Sequence, residues 1–315
     1  MQWLNQRKAY GESLVKLGHK DSRIVVLEAD LGKSTMSCFF QDAFPERYFE
    51  MGIAEANMIA TAAGLSLTGK IPFAGSFAVF ATGRAYDQIR TSICIPALNV
   101  KICGSSAGLS DFGDGSTHQS IDDLALMRVL PNMTVLSPVD AVETEKMVMA
   151  MAEHDGPVYL RVCRNDLPVL TDPDAPWRIG QITEMLPDGD IALLATGVMV
   201  SIGLQAAEQL ARAGIHLKVV NISTIKPLDG NRLAEILQNC RAYVTAEEHS
   251  VIGGLGSAVH EALSGRLSLP SSMIGIADQF GTSAYDWQEL LTHYGLTAEA
   301  IVDAATHLDH QTKGN

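Results

Sequence analysis

The sequence has no C-x-x-C pair: its five cysteines, Cys38, Cys94, Cys103, Cys163 and Cys240, are scattered. That spacing excludes a disulfide scaffold or a zinc site and fits a reducing, cytoplasmic setting. Basic charge is also scarce. The 23 Lys+Arg face 36 Asp+Glu, a formal net charge of −13. Phosphate backbones and anionic membranes both call for a basic surface, so a nucleic-acid or membrane-docking role is disfavoured. Long apolar runs are missing too. The longest, IALLATGVMVSIGL, is too short to span a bilayer and is interrupted by Gly, Thr and Ser. The opening MQWLNQRKAYGESL reads as an amphipathic helix without a signal-peptide core. No short-period repeat or low-complexity tract is visible.

What is present suits packed cores. The chain has 315 residues, 47% hydrophobic and 19% charged, which suggests two domains. Short apolar runs of buried-strand type (IVVLEAD, YFEMG, IPFAG, NVKICGSS, MTVLSP, PVYLRV) alternate with helical stretches such as EANMIATAAGLSL and AVETEKMVMAMAEH. A Pro-, Asp- and Gly-rich interval follows, and then the alternation resumes with DIALLAT, LKVVNI, AYVTAEE and SMIGIAD. The expected fold is α/β: two domains, each a mostly parallel sheet covered by helices, over residues 1–170 and 190–315 with 171–189 as linker.

In such sheets ligands bind beyond the carboxyl ends of the strands. Segments 30–34, 52–55, 75–80 and 105–118 all follow strand ends and should converge there. Glu55 is the odd residue among them. It sits in a small, apolar stretch with no Lys or Arg within a helical turn. It can be a helix-dipole residue at a first turn, or a buried acid of the type enzymes tune for proton transfer. The loop GSSAGLSDFGDGSTHQSIDD carries Asp111, Asp114 and His118, dense enough in polar groups to suggest function, though a solvated surface loop is the plain alternative. Phe77 and Phe80, three apart, share a face if helical, and aromatics so placed are commonly core. Gly254 and Gly256 precede a helix, and Asp278 lies some twenty residues on, which resembles a dinucleotide fingerprint. Yet Val259 stands at the third glycine position and EEHSVI separates strand from glycines, so NAD binding is a weak reading.

Taken together, MGIAEANM, GDGSTHQSIDDLALMRVLPNMTVLSPVD and RNDLP resemble ordered motifs of the C-terminal half of the transketolase family, over nearly the whole chain. The resemblance implies a thiamine-diphosphate-fold pyrimidine-binding domain followed by the transketolase C-terminal domain. It implies two-carbon ketol transfer from a ketose to an aldose, sugar phosphates being the expected substrates. It also gives Glu55 a role: in this family a Glu bonds N1′ of the aminopyrimidine and drives it to the imino tautomer, whose nitrogen takes the thiazolium proton. By the same resemblance Phe77 and Phe80 wall the aminopyrimidine, and Asp30 lies near the cofactor. His118 and Asp114 contact sugar hydroxyls near the reacting carbons, and Arg7, Ser34 and Arg164 hold the phosphate end. Two departures stand out. A family Tyr is Gly83 here, and a family His at the phosphate end is Ser106.

The family's diphosphate motif, Gly-Asp-Gly with an Asn further along to hold Mg²⁺, has no counterpart. Gly113–Gly115 belongs to the His118 loop, and the first following Asn, Asn132, is too near. The resemblance therefore implies a partner chain that supplies the Mg²⁺-diphosphate half, with this chain as one subunit of a split transketolase, as a two-plus-two heterotetramer. Alternatives are the β subunit of a 2-oxo acid dehydrogenase, which usually lacks the Asp-Gly-x-Thr-His-Gln loop, and a deoxyxylulose-phosphate synthase-like enzyme, normally one longer chain. More distant readings are a non-catalytic regulatory partner and the NAD-binding protein.

Overall fold

Strand Ile24–Glu28 shows how the first domain is layered. Its side chains alternate between the two faces of the sheet. Val25 and Leu27 join Met58, Ile59 and Ala62 of helix Glu55–Leu67, while Ile24 and Val26 join Tyr10, Leu14 and Leu17 of helix Gln6–Lys20. Both faces are apolar, so every residue of the strand is buried. Each fully buried large aliphatic of this kind contributes roughly 1.5–3 kcal/mol.

A computed structural model of the protein describes residues 2–313. Its seven-stranded sheet runs, edge to edge, Thr224–Lys226, Thr134–Leu136, Val158–Arg161, Lys101–Ser105, Ile71–Phe77, Ile24–Glu28 and Tyr48–Glu50. All pairings are parallel except the first. That edge strand belongs in sequence to the second half of the chain, which thus completes the first domain's sheet. The five-stranded sheet orders Ser271–Ile276, Ala242–Ser250, Ile191–Ala195, Leu217–Ile222 and Ile182–Leu186, with only the last antiparallel. The architecture is the expected pair of mostly parallel sheets under helices.

Some local readings change. Ile182–Leu186, expected within the linker, is a strand. The start of the chain is not helical throughout: Trp3–Asn5 forms a strand, paired antiparallel with Asp166–Pro168, before the helix begins at Gln6. Asn5 caps that helix, accepting from the Arg7 and Lys8 amides. Residues 32–43 form two helices, Gly32–Thr35 and Cys38–Ala43, because Met36 takes a left-handed φ of 68° between them.

The two halves are joined by polar hubs as well as by a shared apolar layer running from Val25 through Val135 to Leu194 and Val220. Buried Glu143 accepts from Ser223 Oγ at 2.6 Å, Asn221 Nδ2 at 3.2 Å and Trp177 Nε1 at 3.1 Å. No helix among the described residues is long and apolar enough to cross a membrane.

Candidate active site

Four strand ends of the first sheet bring the candidate residues to one edge. Glu55 opens helix Glu55–Leu67, and its side chain is only 5% exposed. It is not unpaired. Its Oε1 accepts from Arg84 Nη1 at 2.8 Å, and the half-exposed Arg84 guanidinium lies 4.0 Å from the Phe80 ring centroid. The cation comes from 29 residues along the chain, beyond any local pattern. Arg84 stands four residues after Phe80, a spacing that places both on one helical face, and this was the available signal for it.

The Phe77 and Phe80 rings are nearly parallel, 14° apart with centroids at 6.0 Å. The His118 ring meets Phe80 edge-on at 5.1 Å and 76°, and Phe77 at 6.3 Å. Its Nδ1 is 3.0 Å from Thr117 Oγ1. A planar apolar wall, a buried carboxylate and an imidazole therefore share one corner. Asp114 is exposed at the start of the short 3₁₀ turn Gly115–Thr117, with Gly115 at a φ of 75°. Asp30, also exposed, adopts a φ of 61°, and its amide donates to Glu50 Oε1 at 2.8 Å.

The loop that carries His118 is braced rather than freely solvated, and the second domain braces it. Leu109 N donates to Glu248 Oε1 at 3.0 Å, and Trp287 Nε1 donates to the same oxygen at 2.7 Å. Gln119 Nε2 bridges the carbonyls of Asp111 and Thr282, and Ala284 N donates to Phe112 O. Burial pushes the Glu248 carboxyl up to about 7, against the pull of Arg161. Beneath the loop, Arg161 and Asp123 form a fully buried ion pair at 3.0 Å, and Tyr159 Oη donates to Asp123 at 2.7 Å.

The three residues expected at the substrate tail are also gathered. Pairing of Trp3–Asn5 with Asp166–Pro168 sets the start of the first helix beside the 161–166 segment. Arg7 Nη1 donates to Ser34 O at 2.7 Å, while its buried Nε has no partner among the described residues. Burial lowers the Arg7 pKa, and the nearby charge of Arg164 lowers it further. Arg164 is paired with Asp111: Nη1 to Oδ2 is 3.0 Å. Ser106 follows its strand at a φ of 53°, wholly buried, and its hydroxyl has no partner among the described residues. Sequence reasoning missed Arg84 and the Asp111–Arg164 pair. The latter joins residues 53 apart, and no local spacing announces it.

The glycines around Gly254 have another use. The amides of Leu255 and Gly256 donate to buried Glu247, at 2.6 and 2.8 Å. The helix terminus that a pyrophosphate would need is already capped by the protein's own carboxylate, which counts against the NAD-binding reading.

The profile of the transketolase pyrimidine-binding domain matches residues 3–169, and that of the transketolase C-terminal domain matches residues 180–301. A transketolase C-terminal section from Methanocaldococcus jannaschii is 44% identical, over 94% of this chain and 93% of its own length. A 6-deoxy-6-sulfo-D-fructose transketolase subunit from Clostridium sp. is 41% identical, over 96% of this chain and 93% of its own. Among solved structures, one described as a split gene transketolase, inactive beta4 tetramer, is 48% identical with a TM-score of 0.89, covering 97% of this chain and 98% of that one. With both domains matched and these relatives aligned almost end to end, the chain belongs to the transketolase family, of which it carries the pyrimidine-binding and C-terminal domains.

Proposed function

We propose that the protein is one subunit of a two-chain, thiamine diphosphate-dependent transketolase that moves a two-carbon ketol unit from a ketose to an aldose. The observation that carries this reading is the corner formed by buried Glu55, the parallel Phe77 and Phe80 rings and edge-on His118. These groups fit the aminopyrimidine end of the cofactor: flat apolar walls suit a flat ring, and a buried carboxyl can hold one proton at a ring nitrogen. When bound, thiamine diphosphate supplies the carbon nucleophile that breaks and remakes the carbon–carbon bond. Glu55 holds the proton at the pyrimidine N1′, and Phe80 stacks on the ring. His118 and Asp114 hydrogen-bond to sugar oxygens near the reacting carbons, His118 being the group able to move a proton there. Arg7 and Arg164, with the Ser34 segment, hold the far end of the sugar, and Asp30 borders the cofactor.

The diphosphate and its Mg²⁺ are assigned to a partner chain, in a two-plus-two assembly, because the Gly-Asp-Gly…Asn motif is missing. The names of the relatives support this division: one is a section, another a subunit, and the solved relative is a split-gene protein whose lone β4 tetramer is described as inactive. The Clostridium relative is named for a sulfonated ketose, so phosphate is not the only tail group met in the family.

The test is reconstitution. The purified chain with thiamine diphosphate, Mg²⁺, a ketose phosphate and an aldose phosphate should show no ketol transfer. Adding a partner chain that carries the diphosphate-binding domain should restore transfer. Robust activity of the chain alone would contradict the proposal.

A further inference from the structure

Arg164, expected to clamp an anionic tail, already has a counter-charge. Asp111 Oδ2 lies 3.0 Å from its Nη1, and the Asp111 side chain is only 4% exposed. The backbone that carries this carboxylate is held in place: Gln119 Nε2 donates to the Asp111 carbonyl, Asn165 Nδ2 to the Ser110 carbonyl, and the Arg164 amide to Ser110 Oγ. Asp114 and His118 lie close enough to interact with its charge. Arg7, the other cation, spends Nη1 on the Ser34 carbonyl. Exposed Asp166, held by Asn5 Nδ2 at 2.8 Å, adds a second negative charge near Arg7. Two guanidiniums thus face one buried carboxylate and one solvated carboxylate whose charge water largely screens, so the net charge lies between zero and one positive. The histidine expected at this end is replaced by the buried, neutral Ser106.

We propose that Asp111 is a specificity-determining residue: by neutralising Arg164 in advance, it fits the tail subsite to a singly charged group such as a sulfonate and turns away a phosphate dianion. The proposal rests on the ketol-transfer reading above and adds the substrate class. A phosphate monoester carries about 1.5 to 2 negative charges at pH 7, its second pKa lying near 6. A sulfonate of the same tetrahedral shape carries one. Rejection therefore comes from like charge held at close range in a partly desolvated site, a repulsive device for specificity.

The experiment uses the chain assembled with its partner, thiamine diphosphate and Mg²⁺, and three fructose donors bearing phosphate, sulfonate or hydroxyl at C6. In wild type, kcat/KM for the sulfonate should exceed that for the phosphate by about tenfold. The phosphate-to-sulfonate ratio should rise as pH falls from 7.5 to 5.5, because the phosphate becomes a monoanion. Titrations of enzyme groups that act on both donors alike cancel in that ratio, and protonation of Asp111, whose carboxyl burial raises, moves it in the same direction. Asp111→Asn keeps the size of the side chain and should raise the phosphate-to-sulfonate ratio about tenfold. A wild type that prefers the phosphate tenfold or more, or a ratio unmoved by Asp111→Asn while transfer continues, overturns the proposal and leaves ketol transfer standing. Absence of transfer from all three donors overturns both. If Asp111→Asn fails to fold, the wild-type ratio and its pH dependence decide the matter.

Discussion

Arg84 makes the two contacts with Glu55 and Phe80 that a bound aminopyrimidine is proposed to make: a hydrogen bond to the carboxylate at 2.8 Å and a stack on the ring at 4.0 Å. A planar, hydrogen-bonding cation is a reasonable mimic of a planar, hydrogen-bonding heterocycle. The arginine is half-exposed, so the bridge itself is weak, on the order of 1 kcal/mol.

If Arg84 competes with the cofactor for Glu55 and Phe80, Arg84→Met should tighten thiamine diphosphate binding by the assembled enzyme about three- to tenfold, the scale of one surface ion pair plus one cation–π contact. A fluorescence titration of both proteins reads this. Weaker binding by the variant would mean that Arg84 keeps its place and supports the bound state.

Glu248 makes the bracing of the active-site loop depend on pH. Its carboxyl is raised from 4.5 to about 7 by burial, so the folded protein holds that proton more tightly than the unfolded chain. Stability from this group is complete below about 4.5 and is lost as pH rises through about 7. Glu28, also buried and raised to about 7, acts in the same direction. Between pH 5.5 and 8 the melting temperature should therefore fall. Glu248→Gln, which keeps an acceptor for Leu109 and Trp287, should remove part of that slope, on the order of 1–3 kcal/mol. An unchanged slope in the variant would contradict the assignment.

The Arg161–Asp123 pair predicts a larger effect. Removing the guanidinium leaves a buried, hydrogen-bonded carboxylate without its counter-charge and frees the Glu248 carbonyl. Arg161→Met should cost about 3–5 kcal/mol in urea unfolding. Replacing both partners with apolar residues of similar volume should recover much of that loss.

Elements defined by their own composition were legible in the sequence. EANMIATAAGLSL became helix Glu55–Leu67, and LKVVNI became strand Leu217–Ile222, because a continuous apolar run bounded by breakers carries its own signal. Elements that exist only through distant pairing were not. Strand Thr224–Lys226 is three residues long and is defined by Leu136 and Val135, nearly ninety residues earlier. Ile182–Leu186 was hidden among Pro and Asp, and its strand is sustained by the edge of Leu217–Ile222. The site divides in the same way. Strand-end positions and family motifs pointed to Glu55, Phe77, Phe80 and His118, whereas the charge partners Arg84 and Asp111 emerged only once the chain was folded.

Glu55 is proposed as a proton-holding group and not merely a helix-dipole residue. The most direct measurement is the rate at which the carbon acid of bound thiamine diphosphate exchanges hydrogen for deuterium in the assembled enzyme, compared between wild type and Glu55→Gln at saturating cofactor. Glu55→Gln should fold, assemble and exchange at least about a hundredfold more slowly, the scale of a positioned acid–base group. Equal exchange rates in a folded, cofactor-saturated variant would contradict it.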